Sequence, residues 1–421
     1  MKTQVAVVGG GWAGCAAALT LAEAGVPVTL YEAARTLGGR ARAVELEGAQ
    51  LDNGQHILLG AYEQTLALIG RLQPEAEALW RLPLTLEQPP DFRLACPRLP
   101  APFHLAAGLL TARGLSGAEK WAAARWADAL IRSGDRLFRG SVADLTRDQP
   151  AKLNRLLWHP LCVSALNTLP EEASAQVFAD VLRAAFGGRR QHSDLLLPRR
   201  DLGALLPVPA VARVTALGGD LRLGQRVGAL GVDALGVTLA TRDTHERYSH
   251  VIVAVAPQHL PGLAAGVDAL AAAAADVARY AYRPIATAYV QYDDAFRLPA
   301  PLYALDGGPA QFVFDRGPSH GQAGLVAFVA SAVSNLAEDW VTQAEAQLQR
   351  IVDPGPARWR RRIVEKQATY ACVPDLPRPA VRTPHPRVFL AGDYTAGPYP
   401  ATLESATMSG VQSAASLLET L

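Results

Sequence analysis

The chain opens on a continuous apolar run that is followed by glycines and then by a helix-forming segment. The run, residues 5–8, reads Val-Ala-Val-Val, which is typical of a strand buried on both faces of a parallel sheet. An Ala- and Leu-rich segment over residues 15–24 predicts a helix that stops at Gly25. A second apolar run, residues 26–31, predicts the next strand, which ends at Glu32. This order predicts a βαβ unit with parallel strands.

The same patterns predict further strands later in the chain. Residues 221–239 alternate apolar with polar or glycine positions, which predicts a β-meander. Residues 251–257, Val-Ile-Val-Ala-Val-Ala-Pro, predict another buried strand. Residues 388–390 predict a last strand, and residues 401–410 a helix after it.

The length of the chain predicts more than one domain. One hydrophobic core seldom organises as many as 421 residues. We assign residues 1–85, 210–270 and 383–421 to a discontinuous, Rossmann-like α/β domain. The insertions between them, residues 86–209 and 271–382, then form an α+β domain.

The turn after the first strand has the composition of a dinucleotide-binding loop. Residues 9–14 read Gly-Gly-Gly-Trp-Ala-Gly and fit G-x-G-x-x-G. Glycines permit the tight turn, and the helix N-terminus offers N–H groups and a positive dipole to a pyrophosphate. Glu32, 18 residues beyond Gly14, carries a carboxylate that can accept a hydrogen bond from a ribose hydroxyl. Because an ordinary glycine-rich turn does not call for an acid at this place, that alternative is disfavoured. The predicted dinucleotide contacts are Gly9, Gly11, Trp12, Ala13, Gly14 and Glu32.

Composition and charge exclude or disfavour several classes of protein. Half of the residues are apolar and 19% are charged, which excludes wholesale disorder. The balance of 40 basic and 39 acidic residues disfavours a nucleic-acid partner. The four cysteines form no C-x-x-C pair, so we predict neither a metal site nor a disulfide framework, and a reducing, cytoplasmic compartment fits.

A second pattern, residues 32–40, favours FAD over NAD as the dinucleotide. It reads E-x5-G-G-R and resembles a signature of the flavoprotein amine oxidases and isoprenoid desaturases. In those proteins the glycine pair and the arginine lie along FAD. The resemblance therefore implies FAD contacts for Gly39 and for Arg40, whose guanidinium suits a phosphate.

Residues 388–410 resemble the C-terminal flavin motif of the same superfamily. The resemblance implies that Asp393, next to Gly392, binds the ribityl chain and that Thr402 and Leu403 face the pyrimidine ring. A helix N-terminus at that edge stabilises the negative charge that appears on reduction. Since no cysteine lies between residues 392 and 410, we predict noncovalent FAD. Val227 is the adenine contact that the superfamily implies.

Three blocks narrow the resemblance: residues 51–62, 156–168 and 193–202. The first is similar to a segment of carotenoid and squalene-associated flavoenzymes. The other two are similar to segments of the hydroxysqualene dehydroxylases, also called squalene-associated FAD-dependent desaturases. The likeness spans essentially the whole chain. It implies further FAD contacts at Gly54, Gln55 and His56.

The family resemblance implies a reaction. Hydroxysqualene, a C30 isoprenoid, loses its hydroxyl group reductively, and squalene is formed for hopanoid synthesis. Departure of the hydroxyl leaves a carbocation, so the substrate must lie in a long apolar tunnel from which water is excluded. Candidates to assist departure of the hydroxyl are His56 and Asp194, each of which also has a purely structural interpretation.

Two other enzyme classes remain open. An oxidative isoprenoid desaturase of phytoene type would use the same tunnel in the opposite redox direction. A flavin amine oxidase is less favoured, because residues 282–290 lack the lysine that those enzymes present near the flavin. Aromatic candidates for the tunnel wall are Trp80, Trp121, Trp126, Trp158, Phe178, Phe186, Phe312, Phe314 and Phe328.

The substrate has negligible solubility in water, so it should arrive from a bilayer or from an upstream enzyme of the squalene pathway. The apolar residues 100–110 are a candidate for peripheral contact with the inner face of the membrane, with a buried helix as the alternative. Residues 358–362, Arg-Trp-Arg-Arg-Arg, suit anionic headgroups, but a charged strand edge is favoured.

Overall fold

The computed structural model describes residues 3–74, 77–134, 136–333 and 335–421. The strands in these residues are β1 (Val5–Val8), β2 (Val28–Glu32), β3 (Ala43–Leu46), β4 (Ala49–Asp52), β5 (Leu58–Leu59), β6 (Leu79–Leu82), β7 (Thr85–Gln88), β8 (Phe92–Ala95), β9 (Leu195–Pro198), β10 (Asp220–Leu223), β11 (Ala229–Asp233), β12 (Gly236–Ala240), β13 (His245–Tyr248), β14 (His250–Val253), β15 (Tyr282–Gln291), β16 (Leu302–Ala304), β17 (Phe312–Asp315), β18 (Leu325–Ser331), β19 (Trp359–Tyr370) and β20 (Val388–Leu390). The helices are α1 (Trp12–Glu23), α2 (Glu63–Leu72), α3 (Phe103–Thr111), α4 (Gly117–Ile131), α5 (Val142–Leu145), α6 (Ala151–Leu153), α7 (His159–Leu166), α8 (Ala175–Phe186), α9 (Leu202–Leu205), α10 (Pro207–Ala216), α11 (Leu260–Ala264), α12 (Asp268–Val277), α13 (Arg316–His320), α14 (Trp340–Gln349) and α15 (Leu403–Leu418).

A five-stranded parallel sheet carries the dinucleotide-binding loop, in the order β10-β2-β1-β14-β20. Every residue of β1 is buried, as the apolar run predicts, and the strand pairs in parallel with β2 and β14. Helix α1 follows β1 and packs on α10 and α15. The predicted Rossmann-like α/β class is therefore confirmed, with strands from three separate stretches of the chain in one sheet.

One expectation about this region is wrong. The meander predicted over residues 221–239 begins only at Ala229 and consists of β11, β12 and β13. Strand β10 instead pairs with β2 at the edge of the parallel sheet, with Leu221 opposite Leu30. A short alternating run has the same appearance in an edge strand of a parallel sheet and in a hairpin.

A second five-stranded sheet is antiparallel, with its strands in the order β16-β17-β18-β15-β19. Strand β15 lies between β18 and β19. Its register with β19 shifts between Arg283 and Ile285, whose partners are Thr369 and Glu365. Residues 366–368 therefore stand opposite the single residue Pro284, which bends β19 locally in the manner of a β-bulge.

The smaller sheets join the two predicted domains. Strands β5 and β6, from the first segment of the chain, pair with β9 from the insertion. The predicted boundary at residues 85/86 falls inside β7, and the boundary at residue 210 falls inside α10, which packs on α1. The division into a cofactor part and a substrate part remains a proposal, with boundaries that move to the ends of these elements.

The basic cluster at residues 358–362 lies at the start of the edge strand β19, and three of its arginines have acidic partners, with Arg361 paired to Glu47. Arg358 pairs with Asp293 and Asp294 at 2.7 Å, and Arg360 pairs with Glu345 at 2.6 Å. This is the charged strand edge that the sequence favours. Over the described residues, no helix is both long and apolar enough to cross a bilayer.

Candidate active site

A large cavity of about 980 Å³ connects the parallel sheet to the antiparallel sheet. It begins at the loop after β1, passes the start of α15, and ends at side chains of β15 to β18. Of the residues predicted to contact the cofactor, all but Gly14 line it: Gly9, Gly11, Trp12, Ala13, Glu32, Gly39, Arg40, Gly54, Gln55, His56, Val227, Gly392, Asp393, Thr402 and Leu403. The fold thus brings together positions spread over nearly the whole sequence.

The glycines of the loop after β1 present backbone atoms to the cavity. Gly9 has φ +116°, a conformation that L side chains rarely adopt. Gly11 caps α1 and faces Gly39, and a Cβ on Gly11 would be 3.9 Å from the Cα of Gly39. Gly14 lies behind the loop, where a Cβ would overlap the carbonyl oxygen of Gly9. The N-terminus of α1 therefore opens onto the cavity beside glycines that carry no side chain, which suits an anionic pyrophosphate.

The carboxylate of Glu32 is held in a fixed orientation at the carboxyl end of β2. Its Oε2 accepts from the backbone N–H of Gly10 at 2.6 Å, and its Oε1 accepts from that of Ala34 at 2.7 Å. Each carboxylate oxygen has a further lone pair. Glu32 can therefore accept from ribose hydroxyls while it stabilises the glycine loop.

An ion pair joins the two flavin-type motifs. The Nη2 of Arg40 donates to Oδ1 of Asp393 at 2.6 Å, and its Nη1 donates to the carbonyl oxygen of Ala368 at 2.9 Å. Asp393 is 6% exposed. Residues 353 positions apart in sequence are thereby fixed against each other at the wall of the cavity.

Helix α15 points its N-terminus at the cavity. Thr402 caps the helix, and its hydroxyl accepts from the backbone N–H of Ser405 at 3.1 Å. Thr402, Leu403 and Ala406 all line the cavity. A 16-residue helix carries partial positive charge at this end, which suits an electron-rich ring edge.

Two buried amide oxygens indicate that the cavity is built for a donor-bearing ligand. Gln225 and Gln258 both line it near Val227, and within the described residues the Oε1 atom of each has no hydrogen-bond partner. Buried acceptors without partners are costly, and the amino group of an adenine is a suitable donor. Sequence reasoning missed both glutamines, although Gln258 directly follows the strand predicted over residues 251–257; Gln225 lies inside the predicted meander.

These donors and acceptors fit FAD. Residues 9–14 and Arg40 would hold its pyrophosphate, Glu32 a ribose, Asp393 the ribityl chain and the start of α15 the flavin. The individual contacts remain predictions.

Sequence comparison identifies the family. The sequence profile of the flavin containing amine oxidoreductases matches residues 12–418. The chain belongs to this family. It is an FAD-dependent oxidoreductase, as the two flavin-type motifs imply.

Similar proteins support the same assignment over nearly the full length. The chain is 27% identical to a hydroxysqualene dehydroxylase of Rhodopseudomonas palustris, with 98% of both chains covered. It is 24% identical to a probable zeta-carotene desaturase of Synechococcus elongatus, over 99% of this chain and 98% of the other. The predicted resemblance to the hydroxysqualene dehydroxylases is confirmed. An oxidoreductase from Methanosarcina mazei shares the fold, with a TM-score of 0.73, 15% identity, and coverage of 98% of this chain and 99% of that one.

Beyond the cofactor motifs, the wall of the cavity becomes apolar. Aliphatic and aromatic side chains from β7, α7, α8, β9 and the antiparallel sheet line this end: Leu86, Leu161, Leu182, Phe186, Leu195, Ile285, Leu302, Phe312, Phe314 and Val329. Three of the nine aromatic candidates are among them. Trp121 is instead 67% exposed, and Trp158, Phe178 and Phe328 are buried in hydrophobic cores.

His56 lines the cavity in a defined tautomer. Its Nδ1 lies 2.8 Å from the carbonyl oxygen of Gly54, so Nδ1 carries the proton and donates. Burial lowers the pKa of His56, partly offset by this hydrogen bond. The neighbouring Gln55 is fixed by the guanidinium of Arg316, which donates to its Oε1 at 2.8 Å. The imidazole is therefore neutral near pH 7, and its Nε2 is a hydrogen-bond acceptor.

The structure corrects the expectation for Asp194. Its neighbours Ser193 and Leu195 line the cavity, but Asp194 does not. Its Oδ1 accepts from Arg190 at 2.7 Å and its Oδ2 accepts from Arg81 at 3.2 Å. Backbone alternation turns this carboxylate away from the cavity and into a buried ion pair, so Asp194 no longer stands as a catalytic candidate.

The side chain of Glu365, which sequence reasoning missed, is a carboxylate that does line the cavity. Glu365 lies at the bulge of β19 and lines the cavity. Asn53 donates through Nδ2 to Oε2 of Glu365 at 3.0 Å and to the carbonyl oxygen of Arg40 at 3.2 Å. Residues 363–367 read Ile-Val-Glu-Lys-Gln, without apolar–polar alternation, so the sequence gives no signal that Glu365 lies on the inner face.

Proposed function

We propose that this FAD-dependent oxidoreductase removes the hydroxyl group of hydroxysqualene reductively and forms squalene in hopanoid or triterpenoid biosynthesis. The observation that carries the proposal is the cavity itself, in which cofactor motifs continue into a mainly aliphatic and aromatic wall. A wall of this kind suits a long hydrocarbon and offers few partners to a polar substrate. The full-length similarity to a hydroxysqualene dehydroxylase supports the choice of substrate.

The reaction balances with one proton and one hydride. The C–O bond breaks, and the hydroxyl group takes a proton and leaves as water. Bound reduced FAD would supply the hydride for the new C–H bond and would become oxidised. A two-electron donor is needed to reduce the enzyme again. The apolar side chains of β15 to β18 exclude water, which would otherwise trap the substrate cation as an alcohol.

We assign the proton to His56. Its Nδ1 is held by Gly54, so Nε2 is the atom that faces a ligand and carries the second proton when the ring is charged. Glu365 adds a carboxylate to the same wall, and negative charge there stabilises a cationic substrate.

The assignment predicts a pH dependence for a single turnover. Because burial lowers the pKa of His56 below 6.5, the protonated fraction falls tenfold for each pH unit above neutrality. The rate of squalene formation should therefore fall about tenfold per unit between pH 7 and 9. At pH 7 the rate of the His56→Gln variant should be about 100-fold lower than that of the wild type, and it should not change between pH 7 and 9. A wild-type profile that stays flat from pH 7 to 9 would remove His56 from this role.

The alternative with a specific observation behind it is an oxidative isoprenoid desaturase. It would use the same apolar wall, and the similarity to a probable zeta-carotene desaturase favours it. A flavin amine oxidase is less favoured, since no lysine is present in β15 or among the described residues that line the cavity.

A single-turnover experiment separates these reactions. Enzyme reduced anaerobically and mixed with hydroxysqualene in detergent should give one squalene per FAD, with return of the oxidised flavin absorbance. Oxidised enzyme is the control and should give none. With a deuterium label at the transferred position and a rapid quench, squalene should carry one deuterium. Equal squalene from oxidised enzyme would contradict the proposal, and desaturated products with bleaching of the flavin would establish the oxidative alternative.

The proposal extends to how substrate is delivered. A C30 hydrocarbon partitions into membranes, so peripheral contact with a bilayer, or with an upstream enzyme of the squalene pathway, is part of the proposed function.

A further inference from the structure

Helix α3 presents an apolar surface to solvent. The helix contains no charged residue, and within it only His104 and Gly108 are buried. Phe103 is 64% exposed and Leu110 is 72% exposed. Trp121, on the neighbouring helix α4, is 67% exposed. We call these three exposed side chains, Phe103, Leu110 and Trp121, the α3 surface.

The three side chains belong to one region of the fold, because α3 and α4 pack together. The amine of Lys120, next to Trp121, donates to the carbonyl oxygen of Leu110 at 2.8 Å. This contact ties the C-terminus of α3 to the first turns of α4. Exposed aromatic and aliphatic side chains concentrated in this way are unusual on a protein surface without a partner.

The opposite side of α3 lies close to the cavity. The Nε2 of His104 is 3.1 Å from Oγ of Ser193, and Ser193 lines the cavity. Gly108 packs against the end of β8, where a Cβ would be 2.7 Å from Sγ of Cys96. Strand β8 pairs with β7, whose Thr85 and Leu86 also line the cavity. Helix α3 therefore lies between the α3 surface and the part of the cavity that Ser193, Thr85 and Leu86 line, which we call the apolar chamber.

The segment that carries the α3 surface, residues 98–125, is basic, and we call its charged side chains the basic rim. Residues 98–125 contain four basic side chains and one acidic side chain, a net charge of +3 in a chain whose total is +1. Arg98, Arg113 and Arg125 are exposed, and none of them forms an ion pair with the residues that the structure describes. The acidic residue, Glu119, is engaged in the capping box of α4 with Ser116.

We propose that α3 lies in the surface of an anionic phospholipid bilayer, with the α3 surface among the acyl chains and the basic rim at the headgroups. An apolar helix face flanked by arginine and lysine, with a tryptophan at its border, has the composition of an interfacial helix. Basic groups near anionic lipid each add to binding. The choice of a bilayer rests on the proposed function, because an apolar substrate enters its chamber most directly from lipid.

The charges argue against a second copy of the chain as the occupant. A symmetric dimer through the α3 surface would bring two rims of +3 together. Anionic lipid instead neutralises the rim.

Vesicle flotation tests the proposal with the FAD-loaded protein. We expect binding to vesicles of phosphatidylglycerol and phosphatidylcholine, and weak binding to phosphatidylcholine alone. The double variant Phe103→Ser/Leu110→Ser should bind the anionic vesicles at least tenfold more weakly, and Arg98→Glu/Arg113→Glu should lose the preference for them. Leu235→Ser is the matched control, because Leu235 is 73% exposed between β11 and β12, and it should bind like the wild type.

The outcomes separate this inference from the proposed reaction. Flotation uses no substrate, and turnover of substrate presented in detergent should be the same in wild type and in Phe103→Ser/Leu110→Ser, with equal FAD content and thermal unfolding. Wild-type protein that fails to float with anionic vesicles would overturn the inference, as would a double variant that floats equally well. A wild-type dimer that the double variant converts to a monomer would identify a second copy as the occupant instead. Failure of reductive turnover with normal flotation would reject only the reaction.

Discussion

Changing Gly14 to valine is expected to abolish FAD binding. Any Cβ at this position overlaps the carbonyl oxygen of Gly9 and lies 3.3 Å from the Cβ of Ala254. Both contacts come from the ends of buried strands, so relief requires α1 to move away from the loop that it completes. Steric insertion of this kind costs about 1–3 kcal/mol or more. We expect colourless protein after dialysis and a Kd for FAD raised at least about 100-fold.

The matched control is Gly70→Ala. Gly70 lies in α2 and is exposed, and a Cβ on this residue would meet no other atom within 4 Å, so alanine fits. Alanine in place of glycine should raise the free energy of unfolding by up to about 1 kcal/mol and leave FAD content unchanged. Gly14→Val protein with wild-type FAD content would show that the loop does not bind the cofactor in the way that its geometry indicates.

Arg40→Ala is expected to have the second large effect. Asp393 is almost fully buried, and the guanidinium of Arg40 is its ion-pair partner at 2.6 Å. Removing one member of a buried pair leaves the other charge uncompensated, which costs about 3–5 kcal/mol. The same change removes the cation assigned to the FAD pyrophosphate. Thermal unfolding at a lower temperature and loss of FAD on dialysis should therefore appear together.

Two further variants isolate the role of Arg40. Arg40→Lys keeps the charge, but one amine cannot reproduce the separate contacts of Nη1 with Ala368 and Nη2 with Asp393, so its FAD affinity should be intermediate. Arg35→Ala removes an exposed arginine from the same segment and should change neither stability nor FAD content. Full FAD retention in Arg40→Ala would contradict the assignment of this motif to the cofactor.

The local parts of the fold follow from the sequence, whereas the long-range ones do not. Strand β1, its glycine loop and β2 are specified by neighbouring residues, and the sequence alone predicts them. Strand β10 takes its place from β2, far away in the chain, so its short alternating run by itself indicates the wrong sheet. For Asp194, a motif identifies the block, but the side-chain direction depends on Arg81 of β6 and Arg190.

The same limit explains the missed wall residues. Glu365 faces the cavity because β19 pairs with β15 through a shifted register, which requires both strands to be in place. Gln225 and Gln258 acquire meaning only as buried acceptors that have no partner in the described part of the chain, a property of the folded protein. Glycine loops and strand-end acids are recognisable in sequence because one local conformation determines their role.

The placement of β20 and α15 has a consequence for biosynthesis. Helix α15 packs on α1 so closely that a Cβ on Gly410 would overlap the carbonyl oxygen of Ala13, and β20 completes the sheet beside β14. A ribosome delivers these two elements long after β1 and α1 have emerged. Until they emerge, the nascent chain holds an incomplete cofactor fold in which the edge of β14 and the face of α1 that α15 covers are exposed, and such surface favours aggregation. FAD incorporation is then a late step in the maturation of the protein.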